Sequence, residues 1–460
     1  MSESAVAVEP SSFDPVRTGF FRFRRLGDRY LITNDFGRYR VLTDAEFRAY
    51  VGGALDRSAP LYGTLAKDGF IRDQLDFEGL AAAWRARHRF LWSGPSLHSI
   101  APSGPGRAGM SLETAAAVAD RVFESPSPAL SIEFVGRPLA NWPAVRLILD
   151  RARAKAASSG KELTLGLADD PSRLGDAELA ALLSAGAEFR AVLPAAGASR
   201  AKSLRRLKAI AAKLRKAAAG FTVEAVVSRG ARAGLEALVD ECAALGARGI
   251  LLKDLSPLER ASPAGRKAAC SPEEFLATYR AALERVLRLN SRRAFAEETA
   301  RAFLGAILNE GGADSASLRS PGGEGLGELA YDRDGAIYSS VEALELGRCG
   351  DDSFRLADSS AGGYRAAVSS PSVRALAVAS CLDNQPACAS CAYAAYHGVS
   401  PVQSYVEQGD ILGRMPTNTR CAIHKGILDL LFEKLQDEKN EMIFRGWLRQ
   451  KGTGRPYPRP

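Results

Sequence analysis

"LHSIAPSGPGRAGMSLETAAAVADRVFE", residues 97–124, decides how the rest of the chain is read. It opens as an apolar β run. From Ser111 the pattern turns helical, with Ser at an N-cap position, Glu in the first turn, and Leu, Ala and Val at three- and four-residue spacing. A strand, a loop and an amphipathic helix make one βα unit, and five more follow. Strands are expected at "ALSIEFVG", "LTLGLAD", "FRAVLPA", "FTVEAVVS" and "GILLKDL". Ala-rich helices such as "NWPAVRLILDRARAKAA" and "ARAGLEALVDECAALG" separate them, and "SPEEFLATYRAALERVLRLN" follows the sixth strand behind a Ser-Pro-Glu-Glu start. Six such units predict an α/β fold with a parallel sheet, either an open barrel or a doubly wound sheet. Both architectures gather ligands at the carboxyl ends of the strands. The loop after the first strand, "APSGPGRAG", therefore belongs to the site, yet it holds only Ala, Pro, Ser, Gly and one Arg.

Around this core the composition is ordinary for a globular protein. The 460 residues are 46% hydrophobic and 25% charged, enough for two or three domains. No apolar run approaches the roughly 20 residues of a membrane span, and "MSESAVAVEPSSFDP" lacks the basic and apolar regions of a secretion signal. A soluble cytoplasmic protein without a membrane partner is expected. Part of the net charge of +8 sits in "RAKSLRRLKAIAAKLRK", residues 200–216. Without interleaved aromatic residues this is no nucleic-acid platform, and it reads as a solvated helix face or an anion-binding face.

Residues 1–14 read as a flexible tail. Residues 15–92 read as a small α+β module, winged-helix-like, with strands at "RYLITN" and "RYRVL" around a "DFG" turn and a Thr-capped helix at "TDAEFRAYV". Past residue 310 the βα alternation stops. "SPGGEGLGELAYDRDGAIYSS" suggests turns around a hairpin, and "GILDLLFEKLQDEKNEMIFRGWLRQK" suggests one closing helix before a short tail. Five of the seven cysteines (Cys349, Cys381, Cys388, Cys391 and Cys421) fall in the last quarter. In a reducing compartment such clustering points to metal or redox chemistry. Cys242 and Cys270 stand alone, as small buried apolar residues do.

The order of these parts, with the strings "RYLITNDFGRYRVLTDAEF", "FLWSGPSLHSIAP", "MSLETA", "SIEFVGRPLANWPAVR", "SPGGEGLGELAYDRDGAIY" and "PACASCAYAAYHGVSPVQSY", resembles the radical SAM peptide maturases with a C-terminal SPASM-type domain. Among these it is most similar to the B-type maturase of the His-Xaa-Ser system. The resemblance implies a partial (βα)6 barrel at 93–305, a SPASM-like domain at 306–430, and a terminal helix and tail at 431–460. It makes 15–92 a leader-recognition-like module.

It also implies a [4Fe–4S] cluster on a Cys-x3-Cys-x2-Cys loop after the first barrel strand, where S-adenosylmethionine is cleaved. Here that loop has no cysteine, so the cofactor-binding cluster is expected to be lost. Of the family's Gly-Gly-Glu-Pro run only Gly136 and Pro138 remain, as vestiges, with Arg137 in the acidic position. In the C-terminal domain the family's cysteine pattern matches at Cys388 and Cys391, departs from it at His397 and Pro401, and has Cys421 as the candidate for its final cysteine, so Cys388, Cys391, His397 and Cys421 are the candidate ligands. Cys-x2-Cys spacing lets two thiolates share one metal, and a later pair can complete a tetrahedron. Zinc or one iron–sulfur cluster is the expectation, with buried, vestigial thiols as the alternative.

The function expected from these features is a non-catalytic peptide-binding or scaffold partner in a ribosomal-peptide modification system. A precursor peptide is expected to add a strand to the module's sheet edge, anchored on Tyr30, Tyr39 and Phe47, and a paired catalytic maturase is the natural partner. The alternatives are an active peptide-modifying oxidoreductase using a C-terminal cluster and a zinc-stabilised structural protein. The strand-end residues Glu133, Asp169, Asp170, Glu224, Lys253 and Asp254 are the acids and bases available to catalysis. Glu133, Glu224 and Lys253 could equally form a buried ion-pair network.

Overall fold

The computed structural model describes residues 14, 16–104, 106, 109–194, 197–216, 220–360 and 362–449. The expected flexible tail, apart from Asp14, and the C-terminal tail lie outside them.

Three strands, β1 (Arg22–Leu26), β2 (Arg29–Thr33) and β3 (Tyr39–Thr43), form an antiparallel meander. Thr43 then caps the helix Asp44–Val51 in a reciprocal box with Glu46, as the sequence predicts. β1 was not among the expected strands. In "RFRRL" arginines outnumber apolar residues, so a sequence pattern alone reads it as surface.

The six barrel strands are those expected: β4 (Leu97–Ile100), β5 (Ala129–Phe134), β6 (Glu162–Asp169), β7 (Glu188–Leu193), β8 (Phe221–Val226) and β9 (Gly249–Lys253). They pair in parallel and in chain order, and β10 (Ala296–Glu297) adds to β9. One phase of each strand, including Ile132, Phe134, Ala191, Val223 and Ile250, is buried with the helices in one core. Each of the larger side chains among them contributes about 1.5–3 kcal/mol. The opposite phase carries Ser99, Glu133, Arg190, Glu224 and Lys253 into the barrel. Parallel strands covered on both faces are usually apolar throughout. This alternation therefore marks a polar lumen.

The expected hairpin forms from β11 (Glu328–Tyr331) and β12 (Ala336–Tyr338), and β13 (Arg355–Asp358) extends it. The sequence did not foretell that β11 pairs in parallel with β4, so one ten-stranded sheet runs through barrel and C-terminal region. The single closing helix is two, Thr419–Lys434 and Glu438–Arg449. Asp437 accepts from the Asn440 N–H at 3.0 Å and starts the second afresh. On the basic helix Gly197–Lys216, Arg206 and Lys213 meet Asp176 at 2.8 and 2.7 Å and Lys208 meets Glu241 at 2.7 Å, as on a solvated face. No described helix is long and apolar enough to cross a membrane.

Candidate functional site

A cavity of about 610 Å³ lies inside the barrel, between the strands and the C-terminal region. On the barrel side its charges form a chain. Arg190 lies 3.4 Å from Glu133 and 3.7 Å from Glu224, and Lys253 lies 3.2 Å from Glu224. Glu133 holds the Arg190 guanidinium above its ordinary pKa, and Glu224 does the same for the Lys253 ammonium. The ion-pair reading of Glu133, Glu224 and Lys253 fits this geometry, and Arg190 is the member the sequence reading missed. Its signal was a lone cation in lumen phase within "FRAVL". Asp169 accepts from the Leu139 and Asp170 backbone N–H groups and pairs with Arg173, while Asp170 accepts from Ser203 and from the Ser172 N–H. Both carboxylates thus organise their own loops. Asp254 pairs with Arg260.

The facing wall carries Glu324, Glu328, Glu342 and Arg420. Glu324 accepts from the Ser400 hydroxyl and from the Val402 N–H at 3.2 Å, and burial pushes its carboxyl up to about 7. Burial, with Glu342 and Glu324 alongside, holds Glu328 well above the usual carboxylate range.

The loop after β4 is tied down by protein groups. Asn141 donates to the Pro102 and Met110 carbonyls at 3.0 and 2.9 Å. The Ser103 hydroxyl lies 2.9 and 2.7 Å from the carbonyls of Gly136 and Arg137. Arg348 donates to the Ser103 carbonyl at 2.8 Å and pairs with Asp332. Gly136 and Arg137 both adopt φ near +66°, a conformation that costs a non-glycine residue about 1 kcal/mol or more, and Pro138 is buried behind them. A Cβ on Gly104 would lie 3.1 Å from Arg333 and 3.3 Å from Arg348, and one on Gly136 would lie 3.3 Å from Arg348. A [4Fe–4S] cluster needs thiolate ligands here. The loop offers none, and arginine side chains crowd its described part, so these residues do not fit the cluster. His98, the nearest metal-ligating side chain in the sequence, is fully buried and bonded to the Tyr331 hydroxyl and the Pro95 carbonyl.

Replacing Arg348 with alanine leaves Asp332 without its ion pair and the Ser103 carbonyl without this donor. The expected cost is about 2–3 kcal/mol. Hydrogen exchange across 101–104 and 136–137 should speed up more than across β7, whereas uniform exchange would contradict a local clamp.

The C-terminal cysteines divide. Cys388 is buried in a small apolar cluster with Leu382, Val399 and Met415, and Cys421 packs beside it. Burial, with Cys421 and Cys391 nearby, pushes the Cys388 thiol up to about 12. His397 meets His424 edge to face, with ring centres 4.9 Å apart. Burial lowers both imidazoles, His397 to about 3, and His397 Nε2 and His424 Nδ1 lack hydrogen-bond partners among the described residues. No group of three or more His, Cys, Asp or Glu among the described residues is arranged to hold a metal ion. Ser340 caps the helix Val341–Arg348, Cys349 is exposed at its end, and Cys381 is part-buried.

The three aromatic anchors also divide. Tyr30 and Phe47 stack, ring centres 4.2 Å apart, beside the half-exposed Phe23. Tyr39 lies on the other face of the sheet, its ring edge-on to Phe432 at 5.0 Å. That face is docked. Arg24 reaches Asp429 at 2.5 and 2.7 Å, and the Thr33 hydroxyl donates to the Ala392 carbonyl at 2.7 Å.

No family model and no curated protein matches the chain. Solved structures do. His-tagged anSMEcpe with bound AdoMet superposes with a TM-score of 0.63 at 13% identity, covering 78% of this chain and 100% of that one. Native anSMEcpe with bound AdoMet and the Cp18Cys peptide gives 0.60 at 14% identity, covering 75% and 100%. Streptococcus suis SuiB bound to precursor peptide SuiA gives 0.53 at 10% identity, covering 88% and 100%. At such identities the likeness is one of architecture, and this chain shares their mixed α/β fold.

Proposed function

We propose that this protein is a degenerate member of the radical SAM peptide maturases, nearest the B-type maturase of the His-Xaa-Ser system. On this reading it binds a precursor peptide without performing radical chemistry. The carrying observation is the loop after β4. In a fold shared with proteins captured with AdoMet and with peptides, that loop has no thiolate and is clamped by Arg348 and Asn141. The peptide surface is assigned to the module, where no described strand pairs with the outer edges of β1 and β3 and Tyr30, Phe47 and Phe23 form an aromatic patch. Tyr39 is left out of that surface because it seats the module on the C-terminal helix. A paired catalytic maturase supplies the chemistry, and this chain presents the peptide to it in the cytoplasm.

The test uses the full chain purified without oxygen. Calorimetry is expected to find no AdoMet binding, and fluorescence anisotropy to find micromolar binding of a leader-bearing precursor peptide, weakened at least fivefold by Phe47→Ala. AdoMet turnover would overturn the reading. Iron and sulfide that vanish in a Cys388→Ala/Cys391→Ala variant would favour an electron-transfer enzyme with one auxiliary cluster. Stoichiometric zinc without peptide binding would favour the structural protein.

A further inference from the structure

The charges around the barrel cavity are balanced on one side and unbalanced on the other. On the barrel wall Glu133, Arg190, Glu224 and Lys253 close on one another, and Asp169 meets Arg173 at 2.9 Å. On the facing wall Glu324, Glu328 and Glu342 form no ion pair with any described residue. The donors that reach them are neutral: the Ser400 hydroxyl and Val402 N–H for Glu324, and the Gln403 amide at 3.2 Å for Glu342. The Glu328 carboxylate accepts no hydrogen bond from a described residue, while its backbone carbonyl takes the Gly325 N–H at 3.1 Å. Arg420 stands on the same wall and its charge acts on all three carboxylates, but it makes no ion pair with them: it donates to the Ser317 carbonyl at 2.9 Å, and its Nε is buried without a hydrogen-bond partner among the described residues.

A second observation points into the same space. Ser99 is only 4% exposed and lines the cavity, yet its hydroxyl has no hydrogen-bond partner among the described residues. In the sheet it pairs with Glu133 on one side, while its neighbour Leu97 pairs with Glu328 on the other. Carboxylates sharing a low-dielectric wall repel one another unless a cation joins them. The carboxylates are not drawn together closely enough for a metal ion. Apolar lining from Leu97, Ala316, Val341 and Val399 leaves room for methylene groups between the charged ends.

We infer that this cavity binds an organic cation, a primary ammonium or guanidinium on a slender aliphatic chain, with Glu328 giving up its proton to become the counter-ion when the cation is bound, Glu324 and Glu342 flanking, and the Ser99 hydroxyl accepting an N–H. The cation comes either from a lysine or arginine side chain of a peptide, in which case the inference rests on the peptide-binding reading above, or from a free aliphatic amine.

The experiment is calorimetry on the full chain with capped glycine pentapeptides bearing a central lysine, arginine, norleucine or glutamate, and with 1,5-diaminopentane. The lysine or arginine peptide, or the diamine, should bind at least tenfold more tightly than the norleucine and glutamate peptides. Glu328→Gln and Glu342→Gln keep the shape and remove the charge. Each should weaken that binding at least tenfold while the melting temperature holds or rises. Tight binding of the diamine alone would support the cation site and assign it to a free amine. Equal affinity for lysine and norleucine, no binding by any cation, or binding unchanged in both variants would overturn the inference. Binding of the leader-bearing precursor peptide to the module, measured separately, shows whether the peptide reading survives that failure.

Discussion

Phe432→Ala is expected to be the most damaging single truncation at the joint between the N-terminal module and the rest of the molecule. Phe432 is fully buried, and its ring meets Tyr39 at 5.0 Å, Tyr396 at 5.5 Å and Tyr393 at 5.8 Å. These tyrosines are held in turn. The Tyr396 hydroxyl donates to the Gly37 carbonyl at 3.2 Å, and Tyr393 donates to Asp429, which also takes Arg24. Removing the ring opens a cavity among groups that cannot collapse freely, so the cost should be about 3–5 kcal/mol. Phe432→Leu fills most of the space and should lose under about 1.5 kcal/mol. Hydrogen exchange in β2 and β3 of Phe432→Ala should accelerate well beyond that in β5. Equal acceleration in all three strands would mean that Phe432 supports the molecule at large and not the joint.

Acidity gives the second large effect. Glu297 is fully buried, accepts from the Tyr279 hydroxyl and from the Leu252 and Ala300 N–H groups, and is pushed by burial up to about 7. In the unfolded chain a glutamate titrates near 4.3. The folded state therefore keeps a proton that the unfolded state gives up. The resulting stability is fully present below about pH 4.3 and is lost as pH rises through about 7. At about 1.4 kcal/mol per pH unit the loss is on the order of 3 kcal/mol. Glu324, raised to about 7 by the same cause, adds a loss of the same sign. The difference in stability between the native chain and Glu297→Gln, followed by thermal melting from pH 4.5 to 8, should move against the native chain as pH rises. A difference that stays flat would show that Glu297 is not protonated in the fold.

Much of the barrel was legible because its strands announce themselves twice. "SIEF", "FRAV" and "TVEAV" have strand composition, and the polar residues within them fall on the phase that faces the lumen. What escaped reading depends on contacts distant in sequence. Nothing in "GELAY" states that it will lie beside "LHSI", and nothing in "RYRVL" states which face of Tyr39 meets Phe432. The cavity's unbalanced wall was hidden for the same reason. Glu324, Glu328 and Glu342 are spaced like ordinary surface carboxylates and become neighbours only when the C-terminal region covers the barrel.

The pairing of β4 with β11 also sets a timetable for biosynthesis. The partners Leu97 and Glu328 stand about 230 residues apart in the chain. At a ribosome's pace of roughly 5–20 residues per second, β4 waits on the order of ten to forty-five seconds for its second neighbour. Throughout that interval an apolar strand presents an unpaired backbone edge, the feature that recruits wrong partners in a crowded cell. Truncation before residue 328 should therefore yield a nascent chain that aggregates or stays bound to chaperones, even though all six barrel strands have already emerged.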